Sequence, residues 1–141
     1  MTVGHDSLLY VVNSGALSDS AGKLSIVDPV ARAEVVVING LGAGAGQAVF
    51  HPSGRLLIAS VVKGILEVNT LTRTLTRGPA DPIVAGGQAI TGLAIDEASR
   101  IYATDPDACA VAVLTPPPDY RKIRTPGVGG CGYSAGVATL P

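Results

Sequence analysis

The chain has 141 residues, of which 47% are apolar and 15% are charged, so it is long enough to bury a core and too apolar for a disordered protein. Its 10 Lys and Arg against 11 Asp and Glu give a net charge of -1 without a basic stripe, which argues against nucleic acid as a partner. No apolar run approaches the roughly 18 residues of a membrane-spanning helix, so a membrane partner is not expected either.

Short apolar runs separated by turn residues predict an all-β fold. The 18 Gly and 10 Pro are spread along the chain and interrupt every window that is long enough for three helical turns. The predicted strands cover, in chain order, residues 9–13, 24–27, 34–38, 48–50, 56–60, 65–69, 74–77, 92–95, 101–105, 111–115, 121–124 and 136–139.

Corresponding strand ends recur about every 45 residues. Asn13, Ser60 and Asp105 are separated by 47 and 45 residues. A period near 45 with four strands in each unit is typical of β-propeller blades. The sequence therefore predicts one domain, 1–141, built from repeat units at roughly 6–54, 55–99 and 100–141.

The sequence leaves the cellular compartment of the protein open. Residues 1–9 lack the basic and apolar regions of a signal peptide, so the chain as written is expected in the cytoplasm. Cys109 and Cys131 either form a disulfide or remain free thiols, and two cysteines are too few for a zinc site.

Several segments resemble the YVTN type of β-propeller repeat. They are LYVVN from Leu9, GKLSIVDP from Gly22, EVVVI from Glu34 and AVFHPSGR from Ala48, with weaker copies IYATD and AVAVLT. The resemblance implies three four-stranded blades, about half a propeller. It implies no particular activity, because such propellers include enzymes, scaffolds and cell-surface proteins. Relatives of this kind are often secreted or held at the cell surface.

Three blades are too few to close a propeller, which has about four to eight. In the predicted strand order the chain begins with the second strand of one blade and ends with the first strand of another. We therefore expect a homodimer that forms a six-bladed ring, in which strand 136–139 completes the partner's first blade by a strand swap. A trimeric ring and a fragment of a longer propeller are the alternatives.

Three motifs match catalytic or nucleotide-binding patterns by letters alone. Residues 40–45 (GLGAGA) precede a strand and a turn instead of the helix that a dinucleotide site needs. Residues 132–136 (GYSAG) leave no acid or histidine after the serine, and residues 20–23 (SAGK) lie in a turn. His51, in a His-Pro-Ser-Gly turn, is interpreted as a structural turn residue.

Better candidates lie in the loops that are expected to surround one mouth of the channel. They are Asn13, Gln47, Gln88, Asp105 and Tyr133. Asn13 and Asp105 are candidate ligands for calcium, although short polar residues at strand ends more often bond to local backbone. We therefore favour a non-enzymatic, self-assembling scaffold that needs no cofactor and presents loops to a protein or small ligand. The alternative is a metal-assisted hydrolase or lyase, like the lactonase-type propellers, with calcium at the channel mouth.

Overall fold

The computed structural model describes residues 1–15, 21–86 and 88–131, and within them the chain is all β, with no helix. The described residues therefore contain no helix that could cross a membrane. The strands are β1 (Thr2–Val3), β2 (Leu9–Asn13), β3 (Lys23–Asp28), β4 (Ala33–Asn39), β5 (Ala45–His51), β6 (Arg55–Ser60), β7 (Gly64–Asn69), β8 (Thr74–Arg77), β9 (Gly92–Ile95), β10 (Ile101–Asp105), β11 (Ala110–Leu114) and β12 (Lys122–Arg124).

The strands form three antiparallel sheets of four strands each, and each sheet is a meander in chain order. The first sheet contains β1 to β4, the second β5 to β8 and the third β9 to β12. This confirms the all-β prediction and four strands per sheet. The sheets are offset by one strand from the sequence units, because β5 ends the first unit and opens the second sheet.

One prediction about the chain's beginning is wrong. The first sheet does not start with its second strand, because Thr2 pairs with Tyr10 and Val3 pairs with Leu9 as a short first strand. The reversal is made by a tight turn, in which the amide of Ser7 donates to the carbonyl of Gly4. The first sheet thus has its own first strand and does not depend on a strand swap for it. The predicted strand 136–139 lies outside the described residues.

The second sheet lies in the middle and buries both of its faces. Along β6, Leu56 and Ile58 point into a core shared with the first sheet, and Leu57 and Ala59 point into a core shared with the third sheet. All four side chains are at most 1% exposed. Because successive side chains of a strand point to opposite faces, a strand buried on both faces has to be apolar throughout. This explains the uninterrupted run that begins at Leu56.

The first sheet buries only one face. Tyr10, Leu24 and Ile26 pack against the second sheet. Because side chains alternate along a strand, the residues next to these point away from the second sheet. Among them Val3 is 63%, Val35 45% and Val37 39% exposed. We call this surface the outer face of the first sheet: Val3, Leu9, Val11, Val27, Val35 and Val37. The same face also carries the polar side chains of Asn13, Lys23 and Ser25, of which Ser25 is buried, so it is partly apolar and partly open to solvent.

Candidate functional site

The two predicted calcium ligands end equivalent strands and are used in local structure. The Asn13 side-chain amide donates to the Ser25 hydroxyl at 3.0 Å, across to β3. The Asp105 carboxylate accepts from the amide of Ala108 at 3.0 Å, in the turn between β10 and β11. Ser60, at the same place in the second sheet, accepts from the amide of Lys63 at 3.1 Å. All three positions therefore organise the chain at the end of their strand.

The other predicted mouth residues are not gathered into one site. Gln47 holds the edge of the third sheet, because its amide nitrogen donates to the carbonyl of Leu93 at 3.3 Å and its oxygen accepts from the Leu93 amide at 3.0 Å. Gln88 uses its backbone carbonyl to accept from the amide of Gly64 at 2.6 Å, and it lines a separate cavity of about 200 Å³. Tyr133 lies outside the described residues.

Within residues 1–15, 21–86 and 88–131, no three side chains of His, Cys, Asp or Glu lie close enough together to hold a metal ion. Asn13 and Asp105 belong to the first and third sheets, with the second sheet between them. The structure therefore does not bring the two candidate calcium ligands together within one chain.

The two cysteines, whose state the sequence left open, form a disulfide. Cys109 lies in the turn between β10 and β11, and Cys131 follows the third sheet. The bond ties the segment after β12 to that turn, where the amide of Val128 also donates to the carbonyl of Cys109 at 3.1 Å.

The opposite end of the sheets has its own repeated polar position. Asp6, His51 and Asp96 are spaced by 45 residues. Asp6 and Asp96 lie in the turns that join the first and second strands of their sheets, and His51 is the last strand residue before the corresponding turn. Because each sheet is an antiparallel meander, these turns lie at the same end as the turns that join the third and fourth strands. We call this end of the molecule the turn face.

The structure confirms the predicted turn role of His51, and the same side chain also joins two sheets. Its Nδ1 accepts from the amide of Ser53 at 3.1 Å, and its Nε2 donates to the carbonyl of Ser99 at 3.0 Å, in the third sheet. The ring is 3% exposed, and both of its nitrogens have partners. These partners require the neutral ring with the proton on Nε2.

Asp96 is held by its own sheet. Burial opposes its ionisation, but hydrogen bonds from the amide and guanidinium of Arg100 and from the Tyr102 hydroxyl outweigh burial and hold the pKa of Asp96 below its ordinary value. The same pair raises the pKa of Arg100 above its ordinary value. Asp96 thus fastens the turn between β9 and β10.

Between the first and second sheets the turn face opens into a cleft of about 580 Å³. This volume falls in the range of small-ligand sites. The cleft combines aromatic walls with the cation of Arg73 and the carboxylate of Asp6. Its lining comprises His5, Asp6, Tyr10, Phe50, Ser53, Gly54, Arg55, Asn69, Thr70, Leu71 and Arg73.

Tyr10 and Asp6 form the wall on the side of the first sheet. The Tyr10 hydroxyl donates to Asp6 Oδ2 at 2.9 Å, and the amide of Leu8 donates to Oδ1 at 3.2 Å. Burial, the bond to Asp6 and the negative charge of Asp6 together raise the pKa of Tyr10 to about 12, against the opposing effect of the Arg73 cation. Tyr10 is therefore a neutral hydrogen-bond donor at physiological pH.

Phe50 forms the aromatic floor of the cleft. Its ring meets Tyr10 edge-on at a centroid distance of 5.0 Å and His5 at 6.0 Å. Gly4 makes this packing possible, since a Cβ there would lie 2.4 Å from Asp6 Oδ1 and 2.7 Å from the Tyr10 ring. Such distances require the neighbouring groups to move.

Arg55 is oriented by a buried carboxylate behind it. Its Nη1 lies 3.3 Å from Glu67 Oε1, and the Glu67 side chain is 7% exposed. The hydroxyls of Thr76 and Tyr120 also donate to the carboxylate of Glu67. Tyr120 reaches it from the third sheet, so this network fixes one side of the guanidinium. Because Arg55 alternates with Leu56 and shares the face of Leu57, its guanidinium lies towards the third sheet and not in the cleft.

Arg73 is the less restrained of the two cationic groups. It is exposed, lies in the turn between β7 and β8 with a φ of 55°, and acts on Tyr10 through its charge. Among the described residues, the four ion pairs do not include Arg73. Its charge is therefore available at the rim of the cleft.

Sequence reasoning placed the site at the other end of the sheets and missed this cleft. The spacing of Asp6, His51 and Asp96 was a usable signal, but residues 1–5 carry no strand pattern, so Asp6 was not recognised as a turn residue of the first sheet.

Comparisons with known proteins support the fold and leave the family open. No family model matches the chain, and no curated protein matches it. Among solved structures it is similar to the crystal structure of Citrobacter koseri AztD, a propeller-like fold, with a TM-score of 0.61 and 17% sequence identity. The match covers 92% of this chain and 36% of that one, so the chain spans about a third of AztD.

Proposed function

We propose that the chain is a self-assembling β-propeller scaffold, in which two copies join their sheets into a ring of six. The observation that carries the proposal is the outer face of the first sheet. It presents Val3, Val35 and Val37 at 63%, 45% and 39% exposure, whereas the central sheet buries its apolar side chains on both faces. Exposed apolar patches of this kind mark interaction surfaces in soluble proteins.

A second copy is the occupant that matches this face in shape and chemistry. Within the chain, the first sheet packs on the second and the second packs on the third, in each case through an apolar core. The outer face carries valine and leucine side chains, so the apolar face of another sheet can pack on it. In a ring with two-fold symmetry this contact forms twice.

Face-to-face packing replaces the strand swap in this proposal. Thr2 and Val3 pair with Tyr10 and Leu9, so a strand from another copy is not needed at that position. The resemblance to a propeller-like protein of which this chain spans about a third agrees with a unit that needs further sheets to close.

The test is the solution mass, measured by light scattering coupled to size exclusion over a range of concentrations. We expect twice the chain mass of 14.1 kDa. Val37→Lys places a charge on the outer face, and we expect it to give the mass of one chain with an unchanged circular-dichroism spectrum. Val30→Lys is the matched control, because Val30 is 91% exposed in the turn between β3 and β4 and lies off the face.

A monomeric wild-type chain would overturn the proposal. It would also fall if Val37→Lys kept the dimeric mass, because the dimer would then use a different surface. A mass of three chains for the wild type, lost in Val37→Lys and kept in Val30→Lys, would contradict the two-fold ring and favour a larger one.

A further inference from the structure

We propose that the cleft between the first and second sheets binds a small organic carboxylate that carries an aromatic or other flat apolar group. Both sheets belong to the same chain, so the site is complete in one copy and does not depend on the assembly proposed above.

The anion preference comes from Arg73. Arg73 lines the cleft and makes no ion pair with the described part of the chain. A planar guanidinium group suits a carboxylate because it can donate two parallel hydrogen bonds to it.

The charge balance of the lining favours no more than a single negative charge. Asp6 lies in the same lining as Arg73, so one carboxylate already offsets part of the positive charge of Arg73. The Asp6 carboxylate accepts from the Leu8 amide and the Tyr10 hydroxyl. A doubly charged phosphate would therefore be poorly compensated, whereas a monoanion can pair with the single cation of Arg73.

The apolar part of the ligand has a place on the opposite wall. Phe50 and Tyr10 meet edge-on at 5.0 Å, and His5 adds a third ring beside Phe50. Leu71 is 91% exposed and lines the same cleft, so it offers apolar surface that a ligand can bury. A flat group packed on Phe50 would cover part of both side chains.

The test uses benzoate as the probe and benzamide as its neutral analogue, with binding measured by calorimetry and by amide shifts in NMR. We expect benzoate to bind and to shift the amides of Gly54 and Leu71. Benzamide should bind at least tenfold more weakly, because it keeps the ring and loses the charge.

The decisive pair of variants is Arg73→Gln and Arg32→Gln. Arg32 is exposed in the corresponding turn of the first sheet, has the same φ of 55° and does not line the cleft, so the two substitutions are matched in backbone and in charge. Arg73→Gln should weaken benzoate binding about tenfold, and Arg32→Gln should leave it unchanged.

Equal effects of the two variants would overturn the proposal, since any loss would then reflect net charge alone. Equal binding of benzoate and benzamide, or no binding of benzoate, would also overturn it. Repeating the titration with Val37→Lys separates this site from assembly, because the expected affinity is the same whether or not the chain dimerises.

Discussion

Replacing Tyr10 by Phe tests the wall of the cleft most directly. Tyr10 is 1% exposed, and its hydroxyl donates to Asp6 at 2.9 Å. The substitution keeps the ring, which packs in the core and against Phe50, and it removes only this hydrogen bond. A hydrogen bond to a charged group contributes about 2 kcal/mol to stability, so we expect Tyr10→Phe to lower the unfolding free energy by roughly that amount at neutral pH.

The pH dependence of this loss has a definite sign. The pKa of Tyr10 is raised from 10.0 to about 12 in the folded chain. A raised pKa means that the folded state holds the proton more tightly than the unfolded state, so the contribution of Tyr10 is complete below pH 10 and declines as the pH rises towards 12. Two pKa units correspond to roughly 3 kcal/mol. The difference between wild type and Tyr10→Phe should therefore shrink over this window.

Denaturant unfolding of both proteins at several pH values below and above 10 measures this difference. Absorbance of the tyrosinate at high pH gives an independent reading, because Tyr10→Phe should remove one phenol that titrates near pH 12. The reasoning would be refuted if the stability difference stayed constant across the window, or if the lost phenol titrated near 10.

Three further outcomes are expected. Gly4→Ala should lower the unfolding free energy by about 1 to 3 kcal/mol, because the added Cβ overlaps Asp6 and Tyr10, whereas Gly127→Ala meets no neighbour and should be neutral in a denaturant melt. Asp96→Asn should cost stability at neutral pH, and this cost should disappear as the pH falls below 3.8, since a lowered pKa stabilises only the ionised form. Reducing the Cys109–Cys131 disulfide, which spans 22 residues, should cost about 3 kcal/mol.

Each of these outcomes can fail in a distinct way. Equal melts for the two glycine variants would mean that the turn after β1 is less tightly packed than described. A cost of Asp96→Asn that persisted in acid would assign it to lost packing instead of charge. A thiol titration that found two free cysteines in the untreated protein would contradict the disulfide itself.

Much of the fold could be predicted because the strands follow from burial and local turn chemistry. The bounds of β2, β8, β9 and β10 are those predicted, since each is an apolar or β-branched run that ends at a polar or turn residue. β5 is longer than predicted, because Ala45 and Gly46 do not read as strand residues. Ala45 is in the strand because it pairs with Ser60 of β6, and Gly46 lies in the register shift that follows, which are tertiary effects that local pattern does not report.

The first strand could not be predicted for a similar reason. β1 has two residues, and two residues carry no alternation. Its pairing depends on the turn in which Ser7 takes a φ of 63° and bonds back to Gly4, a conformation that serine rarely adopts. Because β1 was not predicted, the turn that carries Asp6 was not predicted either, and the cleft beside it was missed.

The polar contacts at the two interfaces between sheets explain why the turn face opens into this cleft between the first and second sheets and not between the second and third. Between the second and third sheets, His51 reaches across to Ser99 and Tyr120 reaches back to Glu67, so polar bonds close the turn face. At the interface between the first and second sheets, Asp6 stands where His51 stands and bonds within its own sheet. Arg73 lies in the turn between the third and fourth strands of the second sheet, which is the place of Tyr120 in the third sheet.

The residue that corresponds to Glu67 in the first sheet is Ile26, because β3 pairs Ile26 with Tyr10 as β7 pairs Glu67 with Leu57. An isoleucine offers Arg73 no carboxylate. The turn between the third and fourth strands therefore ties two sheets together at one interface. At the other interface it carries Arg73, which makes no ion pair with the described part of the chain, beside an aromatic wall.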